Sequence, residues 1–229
     1  MEIADPTPVT LLTPVPGSPG PGDSSIGGPL LWPADDPWPR CFMPDERDRS
    51  GRNACALVPL VQLYRRDVPG GWWHGDTDLF QVLWCPNEHV GPSMAGQPEQ
   101  GPLLHMEWRR VAETEGRGQL TPVAPVRSES WLVPRACLIG IEEAVEPARA
   151  PISRPGVWKA GGGPRWRTPD GDECVCGDCF TCANCYAPMD LLLTVSSGDA
   201  TGVVVSGGGE LRIFGCRTDP EDSYAIDLY

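Results

Sequence analysis

The apolar positions fall in short runs and not in a helical stripe. Ala56 to Tyr64, Leu79 to Cys85, Met189 to Val195 and Leu211 to Cys216 are each compact and rich in aliphatic, β-branched or aromatic residues, with turn-forming Gly, Pro, Asp, Asn or Ser within a few positions. That pattern predicts strands. Pro59 sits near the start of the first run, where a strand tolerates it. An apolar island, Leu103 to Trp108, predicts a shorter strand between loops. Trp131 to Ile141 is a further strand candidate. Glu142 to Ala150 reads as one short helix or a loop, limited by Pro147 and Pro151. Asp67-Val-Pro-Gly-Gly71 is a turn signal, and Ser196 to Gly209 is a hairpin connection or long loop. The expected class is α+β, predominantly β.

Between these runs lie Gly- and Pro-rich stretches. With 27 glycines and 27 prolines in 229 residues, long helices are disfavoured. Residues 1–25 read as an extended, largely unpaired Pro/Gly-rich arm. Residues 26–130 read as a first β-rich lobe, whose Ile26 to Cys41 opening is a turn-rich loop pinned by two tryptophans. Residues 131–156 form a connecting segment, and 157–229 a second β-rich lobe ending in an acidic tail. The two lobes share an order of features. Gly27-Gly28-x-x-x-Trp32, Cys41 with Cys55, Pro59 to Leu63 and Phe80 to Cys85 are followed in the second half by Gly161-Gly162-x-x-x-Trp166, the cysteine cluster, Pro188 to Leu193 and Leu211 to Cys216. Such self-similarity predicts an internal duplication. After the last cysteine of each half a carboxylate follows three residues on, as Glu88 and Asp219.

Half of the ten cysteines lie between Cys174 and Cys185. Cys176/Cys179 and Cys182/Cys185 have the two-residue gap that lets a tight turn aim both sulfurs at one ion, which zinc favours. The expected centre is a zinc-knuckle-like element in the second lobe: Cys182, Cys185 and Cys216, with Asp219, Cys176 or Cys179 as fourth ligand. Cys176-x-x-Cys179-x-x-Cys182 also has three-thiolate iron–sulfur spacing, with Tyr186 where a ferredoxin run has different punctuation. Unliganded thiols, or a disulfide formed in air, are the bland alternative. In the first lobe Cys41, Cys55 and Cys85, with Glu88 or His89 nearby, contain no Cys-x-x-Cys pair. They read as a site that has lost its metal, with Cys85 packed in the core.

The formal net charge is -13, and the chain has one lysine, Lys159. No basic patch is visible beyond the short Arg65-Arg66 and Arg109-Arg110 pairs and Arg165/Arg167, which argues against a nucleic-acid surface. Acidity favours a basic protein partner, or simply maintains solubility. The N-terminus has no signal-peptide core and no run approaches a membrane span, so a cytoplasmic location with reduced thiols is expected. Gly-x-Ser-x-Gly, His-Glu-x-x-His and phosphate-loop motifs are absent from the sequence. His74-Gly-Asp76-Thr-Asp78 reads as a solvated loop. Trp72 and Trp73, beside glycines, are candidate partner contacts, with core packing as the alternative.

Several of these motifs together resemble the bacterial YwqG-like proteins and, more remotely, the eukaryotic programmed-cell-death-two and Tsr-four ribosome-assembly proteins. The resemblance rests on Trp158-Lys-Ala-Gly-Gly162 with Trp166, Cys182-Ala-Asn-Cys185 through Val195, and Leu211 to Cys216. In the first half it rests on Gly27 to Pro33, Leu60 to Leu63 and Phe80 to Cys85. It implies a duplicated, mainly β module with metal-binding cysteines. It also implies a non-catalytic role, either toxin immunity or dedicated chaperoning of a basic protein. The family pattern often has a second Cys-x-x-Cys after the last strand, where this chain has Cys216-x-x-Asp219. A metal-dependent hydrolase or nuclease with an open zinc position is the competing reading.

Overall fold

The computed structural model describes residues 6–41, 55–70, 72–87, 102–147, 154–163, 166–167, 173–174, 181–182, 184–216, 218 and 224–228. Its strands are β1 (Thr7–Val15), β2 (Ser25–Ile26), β3 (Val58–Tyr64), β4 (Leu79–Trp84), β5 (Leu104–Arg109), β6 (Cys137–Glu146), β7 (Trp158–Gly161), β8 (Trp166–Arg167), β9 (Glu173–Cys174), β10 (Asp190–Ser196), β11 (Glu210–Gly215) and β12 (Tyr224–Leu228). Ten of them form one sheet in the order β12-β11-β10-β7-β1-β6-β2-β3-β4-β5, while β8 and β9 pair separately. All pairings are antiparallel. The Leu104 N–H donates to Tyr224 Oη at 3.1 Å, so the two terminal strands of the sheet approach each other. The sheet therefore curls around one core, to which every one of its strands contributes. Leu12, Ile26, Leu60, Phe80, Met106, Cys137, Trp158, Leu193, Ile213 and Ile226 are all in it.

The strands that matter most to the site are buried on both faces. All six residues of β4 and of β11 are buried. Such strands need cover on both sides. On the inner side the cover is the common core. On the outer side, β3 and β4 carry a second cluster built from Leu30, Trp32, Trp38, Leu57, Leu83 and Cys85. The indoles Trp32 and Trp38 lie 5.4 Å apart, and Trp38 Nε1 donates to the Leu57 carbonyl at 2.8 Å. The loop pinned by two tryptophans is thus present as expected. A third cluster covers the outer side of β10 and β11 with Cys182, Met189, Leu191, Phe214, Cys216 and Ala225.

Outward from the central β1–β6 pair, the strands run β7, β10, β11, β12 on one side and β2, β3, β4, β5 on the other. The agreement extends to detail. β3 and β10 have seven residues each, β4 and β11 six. The β3–β4 register slips between Pro59 and Val61, and the β10–β11 register between Leu191 and Leu193, in both cases just after the strand's second residue.

Three expectations are corrected. Residues 1–25 contain no simple unpaired arm, because β1 is central and Val9 to Leu12 is paired on both sides. Pro8 and Pro14 flank that stretch, so neither removes a donor from it. Glu142 to Glu146 is strand and not helix or loop, since β6 continues along the whole of β1, with Glu142 and Glu143 exposed and Glu146 buried. Strand β6 starts at Cys137, and Ser130–Leu132 before it is a 3-10 turn. The acidic tail likewise contains a strand, β12, paired with β11. Among the described residues there is no α-helix, only 3-10 turns, so the helical part of the expected class is not seen. No helix is long and apolar enough to cross a membrane.

Candidate metal centre

The hairpin before β10 is built to return one sulfur toward another. Thr181 bridges Pro188, and the Cys182 N–H donates to the Ala187 carbonyl at 2.9 Å. The chain reverses through Tyr186, which adopts φ +58° and donates its N–H to the Cys182 carbonyl at 2.9 Å. This left-handed residue is what lets so tight a loop close. The Asn184 N–H points at Cys182 Sγ, 3.4 Å away. Strand β11 then delivers Cys216 from the neighbouring hairpin.

The three sulfurs of Cys182, Cys185 and Cys216 lie within 4.8 Å of one another. Cys185 Sγ and Cys216 Sγ are 3.4 Å apart. Sulfurs sharing a tetrahedral zinc at about 2.3 Å stand roughly 3.8 Å apart, so the spacing suits one ion. Thr218 supports the pair: its hydroxyl donates to Cys185 Sγ at 2.9 Å and lies 3.1 Å from Cys216 Sγ. Donors aimed at sulfur favour the thiolate form that a metal requires. Cys182 and Cys216 are buried against Met189, Leu191 and Phe214, while Cys185 is exposed. The site is thus dry on its inner side and open on its outer side. These residues could hold a metal ion. Cys176, Cys179 and Asp219, the expected sources of a fourth ligand, lie outside the described residues. Thr218 carries no metal-site signature in sequence and emerges only from the fold.

The two expected partner-contact tryptophans have different surroundings. Their rings stack at 4.7 Å and 27°. Trp73 is buried, with Nε1 donating to the Val68 carbonyl at 2.7 Å, and so belongs to the core. Trp72 is half-buried, and its Nε1 lies buried with no hydrogen-bond partner. Trp72 lines a groove of about 630 Å³ that also meets Val9, Glu143, Val145, Gly161 and Asp190. No arginine or lysine is among the described lining residues. Nearby, Lys159 Nζ and Glu146 Oε1 form a buried ion pair at 2.8 Å. His74 to Asp78 forms the expected turn, with Asp78 Oδ1 accepting from the Val111 N–H at 2.7 Å.

No protein-family model matches the chain, and no curated protein is significantly similar to it.

Proposed function

We propose that this chain is a non-catalytic protein-binding module, descended from a duplicated β unit and stabilised by zinc at Cys182, Cys185 and Cys216. The matched strand lengths and matched register slips of the two sheet halves support the duplication. The sulfur spacing supports the ion. The observation that carries the binding role is the groove at Trp72. It combines an aromatic wall, an apolar floor at Val9 and Gly161, and the carboxylates of Glu143 and Asp190. A basic, partly apolar polypeptide segment is the chemistry that complements it. The resemblance to YwqG-like proteins extends this reading to an immunity or dedicated-chaperone role.

The test is copurification from the native host at low salt, comparing the unaltered chain with Trp72→Ala/Glu143→Lys. A stoichiometric basic polypeptide should accompany the unaltered chain and be lost from the variant. Its affinity should fall steeply with added salt. A chain that elutes alone, or whose partner is indifferent to both substitutions, refutes the groove as the binding site.

A further inference from the structure

The thiol centre also has the geometry of a redox pair. Cys185 is exposed, whereas Cys182 and Cys216 are buried. Cys185 Sγ lies 3.4 Å from Cys216 Sγ, and Thr218 Oγ1 is 2.9 Å from the first and 3.1 Å from the second. An oxidant arriving from solvent therefore meets one sulfur, and that sulfur already has another in contact. Closure to a disulfide brings the two from 3.4 Å to about 2.0 Å. Cys185 has room for that shift, since it lies in the hairpin loop next to Tyr186, which is 81% exposed. The centre also touches the groove. Leu191 belongs to one cluster with Cys182, Phe214 and Cys216, and it lines the groove at Trp72 beside Asp190.

We infer that Cys185 and Cys216 form a reversible thiol–disulfide switch, closed by a hydroperoxide, that governs metal retention at this centre and reaches the groove through Leu191. The effects on metal and groove rest on the zinc and binding readings above; the pairing of the two sulfurs does not. The Cys185 sulfur attacks one peroxide oxygen, the O–O bond breaks, and Cys185 becomes a sulfenic acid. The Cys216 sulfur then attacks the Cys185 sulfur and displaces the hydroxyl, which leaves as water. With hydrogen peroxide, two thiols and one peroxide become one disulfide and two waters. Two electrons pass from the sulfurs to the peroxide. A dithiol reopens the bond by exchange. Sulfurs tied in a disulfide no longer act as thiolate ligands, so the centre keeps only Cys182 of its three and releases its metal. Cys182 then loses its anchor, and Leu191 in the same cluster is the route by which the groove wall feels it.

The experiment treats the full chain, purified with zinc, with hydrogen peroxide. Cross-linked peptides are mapped by mass spectrometry, zinc release is followed with a chromogenic chelator, and amide hydrogen exchange is read at Leu191. A Cys185–Cys216 link should be the main product, with zinc released in step with it. Exchange at Leu191 should rise at least about threefold. Dithiothreitol with added zinc should reverse all three. A sulfinic acid at Cys185, or a link from Cys185 to another cysteine, as the main product overturns the switch and leaves the zinc centre standing. A chain that holds no zinc before oxidation overturns the zinc reading, and the peptide map still decides the pair. Zinc retained after the link has formed overturns the control of metal. Exchange at Leu191 that ignores the link overturns the coupling to the groove.

Discussion

Replacing Lys159 with Met should be among the most damaging single changes in this protein. Lys159 lies in β7, paired with Leu11 on one side and Thr194 on the other, so it sits within the sheet and not at its margin. Its side chain is 6% exposed and that of Glu146 4%, with 2.8 Å between Nζ and Oε1. Deleting the lysine charge leaves the buried carboxylate without this counter-charge. Breaking such a pair from one side costs about 3–5 kcal/mol, whereas replacing both partners by apolar groups is often neutral. For a domain of this length each kcal/mol moves Tm by about 2–4 °C, so the expected fall is roughly 6–20 °C. The double variant Lys159→Met/Glu146→Leu should unfold within about 1 kcal/mol of the unaltered chain. Equilibrium urea unfolding of the four members of the cycle measures this. The single-variant loss should persist in 0.5 M NaCl, since buried pairs are little screened. A Lys159→Met loss below about 1 kcal/mol, or a double variant that shows the sum of the two single losses, would refute the reasoning.

Two further outcomes follow from local geometry. Gly27 has φ +73°, and a Cβ there would lie 2.8 Å from the Pro134 carbonyl oxygen and 2.9 Å from the Ala136 nitrogen. Gly27→Ala should cost at least about 2 kcal/mol, while Gly75→Ala, at φ +52° with open space around it, should cost about 1, both read from urea midpoints. Burial raises the Asp227 carboxyl above 3.8, offset in part by Arg212. The folded state therefore holds this proton more tightly than the unfolded state. Its stabilising contribution is complete below about 3.8 and is lost as pH rises through the folded value. Asp227→Asn should gain stability relative to the unaltered chain between pH 4 and 8; a relative loss over that range would contradict the assignment.

Strands with continuous apolar runs were legible in sequence, and those that break the run were not. Leu79 to Trp84 reads as strand because both its faces are covered. β1 is disguised by Pro8 and Pro14, which matter only outside its doubly paired stretch. β6 is disguised by Glu142, Glu143 and Glu146, of which the first two face solvent while the third is buried against Lys159. Position within the sheet, which sequence does not state, decides which polar residues a strand accommodates. At the site, Cys182 and Cys185 announce themselves by spacing, and Cys216 by its place after an apolar run. Trp72 is marked by its residue type and neighbouring glycines, whereas Thr218 depends on segments brought together by pairing, so no local signal marks it.

The two outer caps differ in the apolar surface they bury, and so in how much each would gain from a metal ion. Antiparallel strands buried on both faces usually have a helix or a second sheet over each face. Here, among the described residues, loops do that work. The cap on β3 and β4 contains two indoles and four leucines, whereas the cap on β10 and β11 contains one phenylalanine, Met189, Leu191 and Ala225 besides its cysteines. Indoles bury far more area than methionine or alanine, so the C-terminal cap contributes less hydrophobic stabilisation. A small apolar cluster commonly needs a covalent or metal crosslink to hold. Chelation should therefore loosen the caps unequally. Amide hydrogen exchange should rise first and most at Cys182 to Met189 and at the outer end of β11 near Cys216. Leu57 and Leu83, beneath Trp32 and Trp38, should stay protected longer. Equal loss of protection at both caps, or earlier loss around Leu83, would show that the tryptophan cap is no better anchored than the knuckle.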